Sequence, residues 1–283
     1  MAARESLTKR ETEGQYMTPA WVVELMLDEA GFEGPAALST KVMEPCFGNG
    51  AFLAEILARM FDEGLNEGLD ADEVVDIILE NVCGVEKDPE LFASAIIRLD
   101  AVLMEYGAKP VDWSGVLFNE DIYMVFGSAK NMFDLVIGSP PFIRIRHMSP
   151  DWYEIIRKFH AFDIGNAYTA FYVFGFYMLN ETGRLVYFSP NGFMRDTTDR
   201  DLRDFILRKG LLKSICDFRS SKIFPDVSAC FCICSLDRDI HREGPLTVRY
   251  SEYDMEKEVF SSDIDIYDML RRFPDGSPWN LGV

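Results

Sequence analysis

The sequence lacks any long uncharged apolar run: no stretch of its 283 residues approaches the roughly 18 that a membrane-spanning helix needs. The first residues, MAARESLTKRETEG, are polar and lack the apolar stretch of a secretion signal. Internal repeats and low-complexity segments are absent too. These absences predict a cytoplasmic protein that does not contact a membrane. Disorder is excluded because hydrophobic residues make up 48% and aromatic residues 13%, enough for a substantial core.

Paired metal ligands are also missing. The chain has 3 histidines and 6 cysteines, and no two cysteines have the C-x₂-C spacing of a zinc site. Cys230, Cys232 and Cys234 alternate along the chain, which places them on one face of a strand. We therefore expect a buried sheet face there and no metal site.

Positive charge is scarce, since 28 Lys and Arg residues face 47 Asp and Glu residues for a net charge of −19. A protein this acidic is a poor ligand for polyanions as a whole. The imbalance is uneven, however, because residues 142–222 hold 13 basic and 9 acidic residues. This segment either faces a polyanion or carries ordinary solvated arginines, and its composition leaves both open.

Strands and helices alternate over most of the chain. Hydrophobic patterning predicts strands at 41–44, 82–85, 115–118, 133–138, 184–188, 211–218, 229–236 and 246–250. Helices are predicted at 20–30, 50–62, 70–80, 89–106, 167–179 and 199–208, with an irregular stretch at 139–166. Thr18 is expected to cap the first helix, and the aromatic residues of 167–179 are assigned to the core. The pattern predicts a three-layer α/β fold with a mainly parallel sheet and an antiparallel strand.

Polar or glycine-rich turns follow three of the predicted strands. Glycines in EPCFGNG (44–50) let a ligand approach the backbone, although any tight strand-to-helix turn also uses them. Glu86 after the second strand can accept hydrogen bonds from ribose hydroxyls, and Asp121 after the third can accept one from an adenine amino group. No Lys or Arg stands beside these glycines. The pattern therefore favours S-adenosylmethionine over a dinucleotide.

A Pro-Pro-aromatic sequence, SPPF (139–142), follows the fourth strand directly. Two prolines fix the backbone and leave carbonyls without neighbouring N–H groups. Such carbonyls can accept a hydrogen bond from an amino group that is conjugated with a ring. This contact favours the tetrahedral nitrogen whose lone pair attacks a methyl group in line. The loop thus indicates methylation of an amino nitrogen.

In their order along the chain, these motifs resemble those of the gamma-class amino-methyltransferases of DNA, found in Type I and Type IIG restriction-modification systems. The cofactor motifs precede the Pro-Pro motif, as in that class, and the likeness covers roughly residues 14–236. The matching segments are GQYMTP (14–19), EPCFGNGAFL (44–53), Glu86, Asp121, SPPF (139–142) and IFPDVSA (223–229).

The resemblance implies a Rossmann-like, S-adenosylmethionine-dependent methyltransferase fold and assigns roles to its motifs. Ser139 and the Pro140 carbonyl would bind the target amino group, with Pro141 in the same loop. Phe142 would stack on a base flipped out of the duplex, and Phe224 would contact that base from the other side. The implied cofactor-binding residues are Tyr16, Thr18, Pro19, Glu44, Pro45, Cys46, Gly48, Asn49, Gly50, Glu86, Lys87, Asp121 and Ile122.

The implied function is methylation of adenine N6 in DNA, within a restriction-modification system. Ser139 departs from the Asn or Asp that is usual in adenine enzymes of this class. Serine there is familiar in enzymes that methylate cytosine N4, so that activity is the alternative, although motif order favours adenine. A hydroxyl accepts a hydrogen bond as a carboxamide does. A protein-glutamine or RNA amino-methyltransferase, and a catalytically degenerate subunit that binds DNA or a partner, are further candidates.

Three regions are expected: an N-terminal helical segment with a cofactor motif (1–40), the catalytic domain (41–250), and a polar tail or linker (251–283). Family members that read sequence carry a target-recognition domain after the catalytic domain. We therefore expect that double-stranded DNA binds weakly to this chain alone, and that a recognition domain or subunit is its partner.

Overall fold

The protein is described by a computed structural model covering residues 14, 16–159, 165–209, 211–219, 223–224, 229–238, 247–254, 259–270, 272–273 and 277–279. Within these residues there are nine strands. They are β1 (Val42–Glu44), β2 (Val82–Val85), β3 (Leu117–Phe118), β4 (Phe133–Gly138), β5 (Leu179–Pro190), β6 (Leu212–Asp217), β7 (Phe231–Asp237), β8 (Arg249–Asp254) and β9 (Val259–Asp265).

The strands form one sheet in the order β3-β2-β1-β4-β5-β7-β6-β8-β9. Neighbouring strands are parallel from β3 to β5, and β6 is parallel to β8. β7 runs antiparallel between β5 and β6, and β9 is antiparallel to β8. The predicted α/β fold, with a mainly parallel sheet and an antiparallel strand, is confirmed.

The helices connect these strands and cover both faces of the sheet. They are α1 (Ala20–Ala30), α2 (Ala51–Asn66), α3 (Ala71–Asn81), α4 (Pro89–Glu105), α5 (Ile122–Phe126), α6 (Pro150–Phe159), α7 (Ala167–Met178), α8 (Arg200–Arg208) and α9 (Tyr267–Leu270). No helix in the described part of the chain is long and apolar enough to cross a membrane.

Alternating side chains of the central strands form two hydrophobic cores, one on each face. Leu135 and Ile137 of β4 belong to the first core, which includes α1 to α4. Val136 belongs to the second core, which includes α5 to α9. Because successive strand residues point to opposite faces, one short strand supplies both cores. Cys232 and Cys234 share the second core, with Ile233 in the first, as their spacing predicts. Cys230 is a correction, because it precedes β7 and is only half-buried, so it is not part of this buried face.

Side chains cap several of the helix starts. Asp70 and Glu73 form a capping box at α3, and Asp88 accepts N–H groups of Glu90 and Leu91 at the start of α4. The start of α1 is a correction: Pro19 occupies the cap position and no side chain caps the helix, so Thr18 is not its cap. The Pro19 carbonyl accepts the first helical N–H groups, those of Val22 and Val23.

Two further predictions need correction. The stretch 139–166 is not irregular throughout, because α6 begins at Pro150, and proline suits the first helical position. The predicted linker from residue 251 is wrong for its described part, since β8 extends to Asp254 and pairs with β9. Near the end of the chain, Trp279 is 1% exposed and packs edge-on against Phe193. The described part of this segment belongs to the sheet and the second core.

Candidate active site

The strand order determines where a ligand can bind. The chain runs outward from β1 on one side through β2 and β3, and on the other through β4 and β5. Open α/β sheets bind ligands at the carboxyl ends of the strands where this order reverses. An open cavity of about 610 Å³, which we call the first cavity, lies at those ends. The predicted site residues that line it are Tyr16, Pro45, Cys46, Gly48, Glu86, Lys87, Asp121, Ile122, Ser139 and Pro141.

Glu86, after β2, is held by backbone N–H groups. Its Oε2 accepts the Gly48 N–H at 2.9 Å and its Oε1 accepts the Asp88 N–H at 2.8 Å. Burial raises the pKa of Glu86, and these two donors counteract that rise. The carboxylate is thus fixed in direction at the tip of β2, and its remaining lone pairs can accept from ligand hydroxyls.

Asp121, after β3, is fixed in a similar way. Its Oδ1 accepts the Tyr123 N–H at 2.9 Å and so caps α5, which leaves the second oxygen for a ligand donor. The neighbouring Asn119 donates from Nδ2 to the Glu86 carbonyl at 2.8 Å. This bond ties the ends of β2 and β3 together, and both carboxylates face one cavity.

Glu44 lies beneath the site and does not line the first cavity. It is 1% exposed, and its Oε2 has no hydrogen-bond partner among the described residues. Burial raises its pKa well above the ordinary value, and the charge of Glu86 adds to the rise, while the Leu53 N–H opposes it. Glu44 is therefore a buried acidic group behind the loop that lines the first cavity.

Four other predicted cofactor residues, Thr18, Pro19, Asn49 and Gly50, are also absent from the described lining. Gly50 has φ +77° and faces α4, where an added Cβ would lie 3.0 Å from the Cβ of Ala95. Glycine at this position allows α2 to pack closely on α4. Its role in the structure is packing, whereas Gly48 contributes to the cavity wall.

The SPPF loop lies directly beneath the N-terminal segment. A Cβ on Gly14 would lie 2.7 Å from the Phe142 backbone nitrogen, so this glycine permits the contact. The Tyr16 ring stacks on Phe142 with centroids 5.8 Å apart and contacts Phe224 at 5.3 Å. Phe142 and Phe224 are themselves 6.5 Å apart. The structure thus brings both predicted base-contacting aromatics together, while Pro225–Ser228 lie outside the described residues.

A second open cavity, of about 730 Å³, lies beside this aromatic cluster and is called the second cavity. Tyr16 lines both cavities, and Phe142 lines the second one. The wall also contains polar side chains from the segment between β4 and α6, from the start of α7 and from the segment after β5. These polar residues are Arg144, Asn166, Tyr168, Asn191 and Asp196.

Buried aspartates hold the polar wall of the second cavity. Asn191 donates from Nδ2 to Asp217 at 3.0 Å. Asp199 accepts from the Tyr168 hydroxyl at 3.3 Å, and the Asn166 amide points to the same carboxylate at 3.4 Å. Burial raises the pKa of Asp199. Because each asparagine turns its amide donor toward an aspartate, its carboxamide oxygen remains as an acceptor.

The arginines of the basic segment have unequal roles. Arg144 is exposed and lines the second cavity, and Arg195 and Arg200 are exposed as well. Arg203, in contrast, is fully buried and donates to the carbonyls of Phe193, Asp196 and Ser277. Arg203 is therefore structural and unable to contact a polyanion.

Several lining residues were not predicted from the sequence. Met17, Leu91, Trp152 and Phe171 line the first cavity. Phe171 sits in the aromatic run of α7, whose residues were assigned to the core, so its position at a cavity has no separate signal in the sequence. Trp152 lies on α6, which was predicted to be irregular. The described residues contain no group of three potential metal ligands.

Known proteins are similar to this chain in sequence and in architecture. The model of the family described as Eco57I restriction-modification methylase matches residues 72–224. The Type II methyltransferase M.BstVI of Geobacillus stearothermophilus is 26% identical over 225 residues, which cover 75% of this chain and 39% of that protein. M.PaeR7I of Pseudomonas aeruginosa is 26% identical over 254 residues, covering 84% and 43%. The chain thus spans about two fifths of the length of these relatives.

Solved structures agree with the fold. The M protein of the Type I restriction enzyme EcoKI superposes with a TM-score of 0.65 at 15% identity, covering 97% of this chain and 56% of that protein. The DrdV–DNA complex gives a TM-score of 0.68 at 14% identity, covering 96% and 32%. At these identities the likeness concerns the fold alone.

S-adenosylmethionine is the cofactor that the family match implies, and the first cavity fits it. The cavity is concave and combines apolar side chains with a few convergent polar groups, as small-molecule sites do. Glu86 and Asp121 offer carboxylate oxygens to hydroxyl and amino donors, and Lys87 is the sole cation among the described lining residues. The family model covers more than half of the sequence, and the gamma-class resemblance is confirmed: the chain belongs to the Eco57I restriction-modification methylase family.

Proposed function

We propose that the chain is an S-adenosylmethionine-dependent DNA methyltransferase that methylates the exocyclic N6 of an adenine flipped out of the duplex. The observation that carries this proposal is the position of the SPPF loop between two cavities. Ser139 and Pro141 line the first cavity, and Phe142 lines the second. A methyl donor on one side of the loop and a nucleobase on the other would meet at this loop.

The residues of the loop serve the transfer by holding the amino group. S-adenosylmethionine supplies an electrophilic methyl group on a sulfonium. The Ser139 hydroxyl and the Pro140 carbonyl accept hydrogen bonds from the amino nitrogen, which favours its tetrahedral form and orients its lone pair. Phe142 stacks on the base, and Phe224 contacts it from the other side. The proton leaves after transfer and needs no strongly basic residue.

In the same proposal the second cavity receives the flipped base. Tyr16 stacks on Phe142 at 5.8 Å, so this face of Phe142 accepts an aromatic ring, and the flipped base takes the place of the Tyr16 ring there. The carboxamide oxygens of Asn166 and Asn191 provide acceptors for a base that carries an amino group. These acceptors compensate for the smaller side chain of Ser139, where adenine enzymes of the class have a carboxamide or carboxylate.

Adenine is favoured over cytosine because the cofactor motifs precede the Pro-Pro motif, which is the gamma-class order. Methylation of cytosine N4 is the second candidate, and Ser139 is the residue that favours it. Both reactions use the same two cavities, and they differ only in the base that the second cavity accepts.

Double-stranded DNA and a recognition domain or subunit complete the proposal. The net charge of −19 opposes binding to a polyanion, because phosphate contacts supply most DNA affinity. The exposed Arg144, Arg195 and Arg200 are cations of the basic segment that can contact phosphates. We expect weak binding of DNA by the chain alone in a gel shift, and tight, sequence-selective binding would contradict this.

The test is nucleoside mass spectrometry of DNA from cells that express the chain together with its genomic neighbours. N6-methyladenine in these cells, and its loss when the chain carries Phe142→Ala, is the expected result. Detection of N4-methylcytosine instead would identify cytosine as the target base. The absence of any methylated base, with S-adenosylmethionine still bound in vitro, would overturn the DNA-methylating function and leave the cofactor assignment standing.

A further inference from the structure

Trp152 forms part of the wall of the first cavity. None of the sequence motifs includes this residue. It is the third residue of α6, and its backbone N–H donates to the Ser149 hydroxyl at 3.3 Å at the start of that helix. The side chain is only 9% exposed, packs into the second core and lines the first cavity. The helix therefore reaches the cavity from the segment between the SPPF loop and α7.

The indole N–H of Trp152 is buried and has no hydrogen-bond partner among the described residues. Buried tryptophan N–H groups normally find an acceptor. Trp113 shows this in the same chain, since its Nε1 donates to Asp100 Oδ1 at 2.9 Å. Trp279 is the other described tryptophan with a buried, unpartnered Nε1, but it does not line the first cavity. An acceptor for Trp152 can therefore come from a ligand in that cavity.

Lys87 connects Trp152 to the opposite wall. Its Nζ lies 4.2 Å from the centroid of the Trp152 ring, within cation–π range. Lys87 directly follows Glu86, so the contact joins α6 to the segment between β2 and α4. It places Trp152 at the part of the cavity wall that Glu86 helps to form.

We propose that α6 is a lid over the adenosine portion of the bound cofactor. The indole N–H of Trp152 donates to an acceptor of the adenosine, and the contact with Lys87 holds the lid closed. Adenine carries an amino donor and ring-nitrogen acceptors side by side. Asp121 supplies an acceptor for the amino group, and Trp152 supplies a donor for an acceptor of the adenosine. This inference rests on the proposed function, because it assumes that the first cavity holds S-adenosylmethionine.

The test compares Trp152→Phe, Trp152→Ala and Lys87→Met in the full chain, with Trp279→Phe as the matched control. Trp279→Phe also removes a buried, unpartnered N–H, but one that does not line the first cavity. Calorimetry with S-adenosylhomocysteine and with adenosine measures Kd, and thermal melting checks folding. We expect Kd to rise about 10-fold for Trp152→Phe, more for Trp152→Ala and about 3-fold for Lys87→Met, as for a lost hydrogen bond or cation–π contact.

Adenosine should show the same ratios as S-adenosylhomocysteine, because the contact involves only the shared portion. The tryptophan fluorescence change on binding should vanish in Trp152→Phe and persist in Trp279→Phe. Faster dissociation of S-adenosylhomocysteine from Trp152→Ala, measured by stopped flow, would identify the lid.

Affinities within twofold of the unsubstituted protein for Trp152→Phe and Lys87→Met would overturn the lid, even if Trp152→Ala fails to fold. If the unsubstituted protein binds neither S-adenosylmethionine nor S-adenosylhomocysteine, the proposed cofactor site is wrong, and the proposed lid is wrong as well. The two failures are distinct, because only the first leaves binding by the unsubstituted protein intact.

Discussion

The two cavities of this molecule hold their polar groups by different means. In the first, Glu86 and Asp121 are fixed by backbone N–H groups, as the contacts from Gly48 and Tyr123 show. In the second, Asn191 and Asn166 are fixed by the side chains of buried aspartates. The first cavity is thus built into the edge of the sheet, whereas the second depends on side chains that a single substitution can remove.

This difference indicates which of the two cavities can change its ligand specificity through substitutions. Backbone donors persist through most substitutions, so the cofactor side can stay constant while other residues vary. The polar wall of the second cavity rests on Asp199 and Asp217, which are 0% and 2% exposed. Altering Asp199 changes two cavity-facing groups together, since it accepts from the Tyr168 hydroxyl and the Asn166 amide.

Phe142→Ala should show the largest difference between its effect on methyl transfer and its effect on cofactor binding. Stacking on a base contributes about 1–3 kcal/mol, so we expect methyl transfer to fall about 100-fold while the Kd for S-adenosylmethionine changes less than about threefold. Ser139→Ala should act in the same direction. Transfer of labelled methyl groups to DNA and calorimetry measure the two effects. Equal losses in both would mean that these residues support the fold and not the transfer.

Glu86→Ala should show the reverse pattern. Hydrogen bonds to a charged group contribute about 1.5–3 kcal/mol, so we expect the Kd for S-adenosylmethionine to rise about 30-fold. At saturating cofactor the transfer rate should recover to near that of the unsubstituted protein. Glu86→Gln, which keeps one acceptor for the Gly48 N–H, serves as the milder control. A methyl-transfer defect that persists at saturating S-adenosylmethionine would mean that Glu86 also acts in the transfer step, and the two cavities would not have separate functions.

Asn191→Leu tests the wall of the second cavity with a smaller expected effect. Removing one acceptor for the base should lower methyl transfer about 10-fold and leave cofactor binding unchanged. Asn119→Leu is the matched control, because Asn119 donates to the Glu86 carbonyl and supports the first cavity. It should weaken cofactor binding slightly and spare transfer at saturating cofactor. Identical behaviour of the two variants would remove the distinction between the cavities.

Glu44→Gln should give the smallest effect, visible as a pH dependence of stability. The folded protein raises the pKa of Glu44 well above its ordinary value, so the folded state binds the proton more tightly than the unfolded state. Stability from this group is present at low pH and lost as pH rises through the folded pKa. Denaturant unfolding at several pH values should therefore show Glu44→Gln gaining stability over the unsubstituted protein as pH rises. A constant difference would contradict a buried, titrating Glu44.

The contrast between the cavities also explains what the sequence could predict. Glu86 and Asp121 were identified because each follows a short apolar strand, and their supports lie within a few residues or in a glycine turn. Asn191 and Asp217 are 26 residues apart, and Tyr168 and Asp199 are 31 apart, so no local pattern links them. The helix α6 was missed because Pro140, Pro141 and Pro150 indicate an irregular stretch. Pro150 instead begins the helix.

The C-terminal strand was missed for a related reason. Acidic residues interrupt the hydrophobic alternation between 251 and 265, and edge strands tolerate such charges because one side faces solvent. Family membership and a mainly parallel sheet with an antiparallel strand were predictable, because the motifs and the strand–helix alternation are local. The cavity-lining positions of Trp152 and Phe171 depend on tertiary packing.

The contacts of Arg203 and Trp279 have a thermodynamic consequence. Arg203 joins the Ser277 carbonyl to the carbonyls of Phe193 and Asp196, and the Trp279 backbone N–H donates to the Met194 carbonyl at 2.6 Å. Residues 277–279 are therefore hydrogen-bonded, directly or through Arg203, to the segment that carries Asn191 and Asp196. Binding free energies at linked sites are reciprocal. A ligand of the second cavity that binds better when residues 277–279 are docked therefore strengthens that docking by the same factor.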